Sequence, residues 1–329
     1  MRQSIRYFAG TALGLAVQLA CAAEPAVVFD TAGKFDKSFN QSAYEGAEAY
    51  KKATGKKYAE FTMQNEGQRE QALTKLAERG SNPVVSVGFA GAAALEKIST
   101  QFPKTQFYII DMVVDKPNVK SLLFREHEGS FLVGALAALK SSTGKVGFVG
   151  GMDIPLIRKF SCGYEQGAKY INPKIEVLQN MTGTTPTAWN DPTKGGELAR
   201  SQIDRGADVI FAAAGGTGIG VYQAAKDAKK LAIGVDSNQN HIQPGTMLTS
   251  MVKHVDIAVQ NAFTEADKGG VKGGISSLGL KEGGVDWALD QHNRALVTKA
   301  MEDKVNQIKK DIITGKITVV DYMVANKCN

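Results

Sequence analysis

The sequence predicts an α/β protein of two doubly wound, Rossmann-like lobes, and three observations carry that prediction. Short apolar runs alternate with amphipathic stretches of helical length over most of the chain, which is the pattern of βαβ units and a parallel sheet. The apolar runs, such as Val27-Val28-Phe29 and Val146-Gly147-Phe148-Val149, hardly alternate with polar residues. Strands covered on both faces have that character. The pattern also starts afresh at Val146, and 329 residues is roughly the length of two domains.

In the first lobe, strands are expected at Val27 to Asp30, Lys57 to Gln64, Pro83 to Gly88 and Gln106 to Asp111. Helices fall over Phe39 to Lys52, Glu66 to Arg79 and Gly91 to Gln101. Gly55 and Gly80 stand just past the first two, where a left-handed residue ends a helix. A further helix over Glu128 to Ser141 leads to the restart. The second lobe then has strands at Val146 to Val149, Ile175 to Gln179, Asp208 to Ala213 and Leu231 to Asp236. Its helices are Ile157 to Tyr170, Thr193 to Arg205 and Gly218 to Lys229. Beyond Met247 the order is a strand to Lys253, a helix over Val255 to Lys268, a glycine-rich stretch to Gly284, a helix over Leu296 to Thr314 and a strand over Ile317 to Val324. The chain thus crosses between lobes repeatedly. The expected lobes are 24–142 with about 254–290, and 143–253 with about 291–329, joined by a multi-segment hinge.

Residues 1–23 read as a secretory signal peptide. Arg2 and Arg6 precede an apolar stretch from Phe8 to Ala20 and the small residues Ala22 and Ala23, the order of a charged, an apolar and a cleavage region. Its removal would take the formal charge from +6 to +4, with both signs mixed along the remainder. No basic stripe interleaved with aromatics is present, so nucleic acid is not an expected partner. Cys21 would leave with the signal, because Gln18 stands where a lipoprotein signal needs a small or aliphatic residue. Cys162 and Cys328 remain, and two cysteines in an exported chain favour one disulfide; two free thiols are the alternative.

Ligands of open parallel sheets bind beyond the carboxyl ends of the strands. Three apolar strands end in a carboxylate there, at Asp30, Asp111 and Asp236. Two lie in the first lobe and one in the second, so across a cleft they would offer acceptors to a hydroxyl-rich ligand. The turn Gly215-Gly216-Thr217-Gly218-Ile219-Gly220 follows a strand and opens a helix, but Val221 breaks the G-x-G-x-x-G spacing of a dinucleotide site. It reads instead as a tight turn exposing backbone N–H groups to a polar ligand. Phe35 and Phe39 flank the loop after Asp30, and Trp189 lies in a loop between strand and helix, suited to gripping a flat ring. The four histidines lack metal-ligand spacing, and neither a P-loop nor G-x-S-x-G occurs. Binding is therefore expected rather than catalysis, with no metal and no cofactor.

Several blocks together resemble the basic membrane protein family, substrate-binding proteins of ABC importers of the purine nucleoside receptor A type. They are D-T-A-G-K-F-D-K-S-F-N-Q from Asp30 to Gln41, S-V-G-F-A from Ser86 to Ala90, and Ile109-Ile110-Asp111. G-F-V-G-G-M-D-I-P from Gly147, A-A-G-G-T-G-I-G from Ala213 and I-G-V-D-S from Ile233 continue the match. The resemblance implies a type I periplasmic binding protein, monomeric, closing on a nucleoside and serving an ABC permease. It implies that Phe39 and Trp189 sandwich the base, Trp189 standing where the family has phenylalanine. Asp30 and Asn40 would then face the base edge, with Phe89 in the same site. Asp111, Asp236, Lys253 and the backbone of Gly215 and Gly216 would hold the ribose. Many relatives are lipoproteins, whereas Gln18 points to a free periplasmic protein here. A ligand sensor for a membrane receptor, or a dinucleotide-dependent enzyme, are the alternative readings.

Overall fold

The computed structural model describes residues 23–270 and 272–328. All but the last residue of the expected signal peptide, with Gln18 and Cys21, lies outside them. Along the first sheet the chain forms β1 (Ala26–Phe29), α1 (Phe39–Thr54), β2 (Ala59–Thr62), α2 (Arg69–Glu78), β3 (Val84–Ser86), α3 (Ala92–Gln101), β4 (Phe107–Ile110) and β5 (Val119–Phe124). It continues with α4 (Glu126–Lys140), β6 (Lys145–Met152), α5 (Pro155–Ile171), β7 (Glu176–Gly183), α6 (Pro192–Asp204), β8 (Val209–Ala213), α7 (Gly218–Asp227), β9 (Leu231–Asp236) and β10 (Met247–Lys253). The last elements are α8 (Val255–Asp267), β11 (Gly274–Leu278), β12 (Val285–Trp287), α9 (Lys299–Ile313) and α10 (Tyr322–Ala325).

Two six-stranded sheets result. The first has the order β11-β5-β4-β3-β1-β2 and the second β12-β10-β9-β8-β6-β7. Every pairing is parallel except that of β12 with β10. Successive residues of β1 explain why its sequence does not alternate. Val27 and Phe29 join a core that extends from one lobe into the other, while Ala26 and Val28 join a second core on the opposite face. The second sheet behaves alike, with Phe148 in the shared core and Val149 in an outer one.

The structure moves three sequence-based boundaries. The helix expected in the first lobe up to residue 142 is α4, and it packs on the second lobe against α5. Gly163 and Gly167 of α5 allow this, since a Cβ there would lie 2.4 Å from the His127 carbonyl oxygen and 1.9 Å from that of Phe131. The return to the first lobe ends before residue 290, because β12 already pairs in the second sheet through Met251↔Trp287. Residues 317–324 form no strand. Val320 donates its N–H to Gln166 Oε1 and accepts from Gln166 Nε2 (2.8 and 3.0 Å), so a side chain takes the place of a neighbouring strand. The tail then turns into α10 and is joined to α5 by the Cys162–Cys328 disulfide. Among the described residues no helix is long and apolar enough to cross a membrane.

Candidate ligand-binding site

The carboxyl ends of the two sheets face one another across a cavity of about 590 Å³, counted out to its solvent mouth. Asp30, Asp111 and Asp236, at the ends of β1, β4 and β9, all border it. Asp111 (φ 73°) and Asp236 (φ 64°) adopt left-handed backbone. Aspartate is among the few non-glycine residues that tolerate this conformation, and such strain concentrates at functional sites.

Lys253, the last residue of β10, is the cation of the site and is 2 % exposed. Its Nζ donates to Asp111 Oδ1 and Oδ2 (2.7 and 2.6 Å) and lies 2.9 Å from Glu126 Oε1. The ammonium also sits 5.1 Å from the Phe39 ring centre and 5.0 Å from that of Phe124, where ring quadrupoles attract a cation. Burial disfavours every charge here. It pushes Asp111 up, against the pull of Lys253. In Glu126 burial is outweighed by Lys253 and Lys159, so its carboxyl stays below the usual range. For Lys253 burial is outweighed by Asp111 and Glu126, which keep it protonated. Asp236 is pushed up to about 7 by burial, against Lys253 and a hydrogen bond from Ser38.

Ser38 reaches Asp236 because it is released from an ordinary duty. It occupies the N-cap position of α1 but makes no capping bond. Asp36 caps instead, accepting from the N–H groups of Ser38, Asn40 and Gln41 at 2.8–3.1 Å. The Ser38 hydroxyl is therefore free to donate across the cleft to Asp236 Oδ2. Ser237 Oγ donates to the Ser38 carbonyl (3.0 Å) and Gln239 Nε2 to that of Lys37 (2.7 Å), and the Ser38 hydroxyl also lies 3.4 Å from the Val235 carbonyl oxygen, so several hydrogen bonds join the lobes at this point.

The aromatic residues enter from both lobes. Phe39 opens α1, Phe89 opens a short turn after β3, and Trp189 ends another before α6; all border the cavity. Trp189 lies on Gly151, where a Cβ would stand 2.1 Å from the indole Cζ3. Phe35 does not take part: it is 63 % exposed and packs edge-on to Tyr44, centroids 5.4 Å apart.

Two expected contacts differ from their sequence reading. Asn40 borders the cavity, but its amide is committed to the protein. Oδ1 accepts from the Asp30 N–H (2.8 Å) and Nδ2 donates to Asp36 Oδ2 (3.0 Å). Gly215 lines the cavity, whereas Gly216 lies behind it, with its Cβ direction 3.3 Å from Asn190 Oδ1 and 3.4 Å from the Trp189 carbonyl. Sequence reasoning passed over Asp36 and Phe160, which also line the cavity, and Glu126 behind Lys253. Asp36, two residues before the serine at the helix N-cap position, carried a signal; Glu126 carried none, since an acid at the start of a helix is usually solvated.

Two doubly wound sheets whose carboxyl ends share one cavity define the type I periplasmic binding protein fold, and ABC transporter solute-binding proteins are among the structures that share it. The chain belongs to the Bmp family of ABC transporter substrate-binding proteins, whose model, described as PnrA-like, matches residues 23–321. It is 35% identical over 317 residues to the CD4+ T-cell-stimulating antigen of Listeria monocytogenes, covering 89% of this chain and 87% of that protein. It is 34% identical over 319 residues to the ABC transporter nucleoside-binding protein BmpA of Lactococcus lactis, covering 89% and 88%. The crystal structure of an ABC transporter system solute-binding protein from Aeropyrum pernix superposes with a TM-score of 0.82 at 30% identity, covering 91% of this chain and 93% of that one.

Proposed function

We propose that this protein captures a nucleoside, with a purine as base, outside the cytoplasm and delivers it to an ABC permease. The observation that carries the reading is that Phe39 and Trp189, from opposite lobes, border the same cavity as Asp111 and Asp236, also from opposite lobes. Two rings can grip a flat base, and Asp111, paired with Lys253, and Asp236, bonded by Ser38, can accept from sugar hydroxyls. Asp30 would accept from the base edge, with Asn40 holding its backbone in place. Hydrogen bonds from hydroxyls to ionised groups are about twice as strong as neutral ones. A sugar lacking a hydroxyl would leave a buried carboxylate short of a partner, a penalty of about 1–3 kcal/mol. A ligand touching both lobes shifts the hinge equilibrium towards closure, and the permease would read the closed form. The relative named a nucleoside-binding protein supports the same class of ligand.

The test is a thermal-shift and calorimetric screen on refolded protein with ribonucleosides, 2′-deoxynucleosides, free bases and pentoses. Ribonucleosides should stabilise most, and their 2′-deoxy analogues should bind about tenfold or more weakly. Asp236→Ala should abolish the stabilisation, and Trp189→Ala should weaken binding without loss of fold. A screen in which pentoses or nothing at all stabilise the protein overturns the reading.

A further inference from the structure

We infer that Asp321, in the C-terminal tail, is a positioning residue for the ligand cleft. Acting through Lys159 and Glu126 it sets where Lys253 and Asp111 stand, and the Cys162–Cys328 disulfide keeps it there. The inference rests on the proposed nucleoside reading only for the ligand used in two arms of its test.

The charges form an unbroken alternating chain from the tail to the cavity. Asp321 Oδ2 lies 3.4 Å from Lys159 Nζ, which lies 3.0 Å from Glu126 Oε2. Glu126 Oε1 is 2.9 Å from Lys253 Nζ, which bonds both oxygens of Asp111. One carboxylate, Glu126, thus serves two buried ammoniums. Asp321 supplies Lys159 with a second anion beside Glu126, so that Glu126 can share its charge with Lys253. Without Asp321, Glu126 is drawn towards Lys159 and loosens its hold on Lys253, so the ammonium and the Asp111 carboxylate that it bonds shift from their places in the cleft. Lys159, Glu126, Lys253 and Asp111 are buried deeply enough to need their partners, and Asp321 closes the chain from a half-buried position.

The tail and the cleft are worked by a single helix. In α5, Phe160 borders the cavity, Lys159 is its neighbour, Cys162 carries the disulfide and Gln166 clamps both polar groups of Val320. A dithiol reductant opens the bridge by thiolate attack on one sulfur. Its second thiolate then expels the remaining cysteine, so the dithiol becomes a cyclic disulfide and the protein gains two thiols, two electrons and two protons. The tail then has no covalent tether, and Asp321 leaves Lys159 more readily. Linkage requires the reverse effect as well: a bound ligand must make the bridge harder to reduce.

The test compares the oxidised full chain, its dithiothreitol-reduced form, Asp321→Asn and Asp321→Glu, with inosine as probe. Asp321→Asn and reduction should each weaken inosine binding about five- to tenfold, and Asp321→Glu should return it to within about twofold of the original. Saturating inosine should lower the midpoint potential of the disulfide by about 30 mV for a tenfold coupling. Hydrogen exchange over Pro155 to Cys162 should quicken in the Asn variant and the reduced protein, but not in the Glu variant. Unchanged affinity and exchange in Asp321→Asn, or a potential indifferent to inosine in protein that binds it, overturns the inference. Should the unsubstituted protein bind no nucleoside, that result counts against the ligand reading alone. The exchange arm then decides: quickening with Asn and not with Glu supports the role of Asp321, and no quickening ends it.

Discussion

Asp111 and Asp236 occupy the same place in the two lobes: each follows a parallel strand, each takes left-handed backbone and each borders the cavity. Their partners differ. Asp111 gives both oxygens to the ammonium of Lys253, whereas Asp236 takes the neutral hydroxyl of Ser38 on one of them. One backbone device thus presents two acceptors of different electrostatic character. Asp111 belongs to an ion pair with Lys253, and burial pushes it up to about 6, whereas Asp236, bonded by a hydroxyl instead, is pushed further, to about 7.

The largest effect is expected where the balance is broken. Lys253→Met leaves Asp111 and Glu126 buried without their shared cation and should destabilise the protein by about 3–5 kcal/mol. Urea denaturation measures this, and a loss below about 1 kcal/mol would show that the acids shed their charge instead.

Next comes the pH response of Asp236. Its carboxyl is raised to about 7 from 3.8, so the folded state holds a proton that the unfolded chain releases. That contribution to stability is complete below the unfolded value and is lost as pH climbs towards 7, up to about 4 kcal/mol in all. Asp236→Asn removes the titration and keeps a residue that accepts left-handed backbone, so its denaturation midpoint should fall less between pH 4 and 7. Burial also pushes Asp111 up, and that part of the slope should persist. If the two proteins show the same slope, the comparison between the acids fails. Ligand hydroxyls favour the ionised form, so affinity in the unsubstituted protein should rise as pH rises through 7.

Gly151→Ala tests the aromatic wall without touching either acid. The added methyl cannot coexist with the Trp189 indole, so the ring must shift, and affinity should drop about tenfold with a change in tryptophan fluorescence. The smallest effect is expected for Ser38→Ala, about 1 kcal/mol. It should also push the Asp236 titration higher, since a hydrogen bond to the ionised form is lost. An unmoved titration would mean the hydroxyl does not reach Asp236 in solution.

Much of this could be read from residues in order. The strands with buried faces, the helices ended by Gly55 and Gly80, and the three terminal aspartates follow from local chemistry, because a strand covered on both sides has to be apolar throughout. Other elements left weak signals. The strand β5 contains Lys120 and Ser121, and β11 has only Ile275 and Leu278 as apolar residues on an edge. The run Ile317-Thr318-Val319-Val320 looks like a strand because it is β-branched, yet its partner is the side chain of Gln166.

By itself the sequence determined that there are two parallel-sheet lobes and that acids and aromatics stand at their strand ends, since periodicity and strand-end position are local properties. Only the tertiary structure decided which acid meets a cation and which a hydroxyl. Lys253 is 142 residues from Asp111 and Ser38 is 198 from Asp236. Charge balance in a buried site depends on distances through space, and no local pattern encodes those.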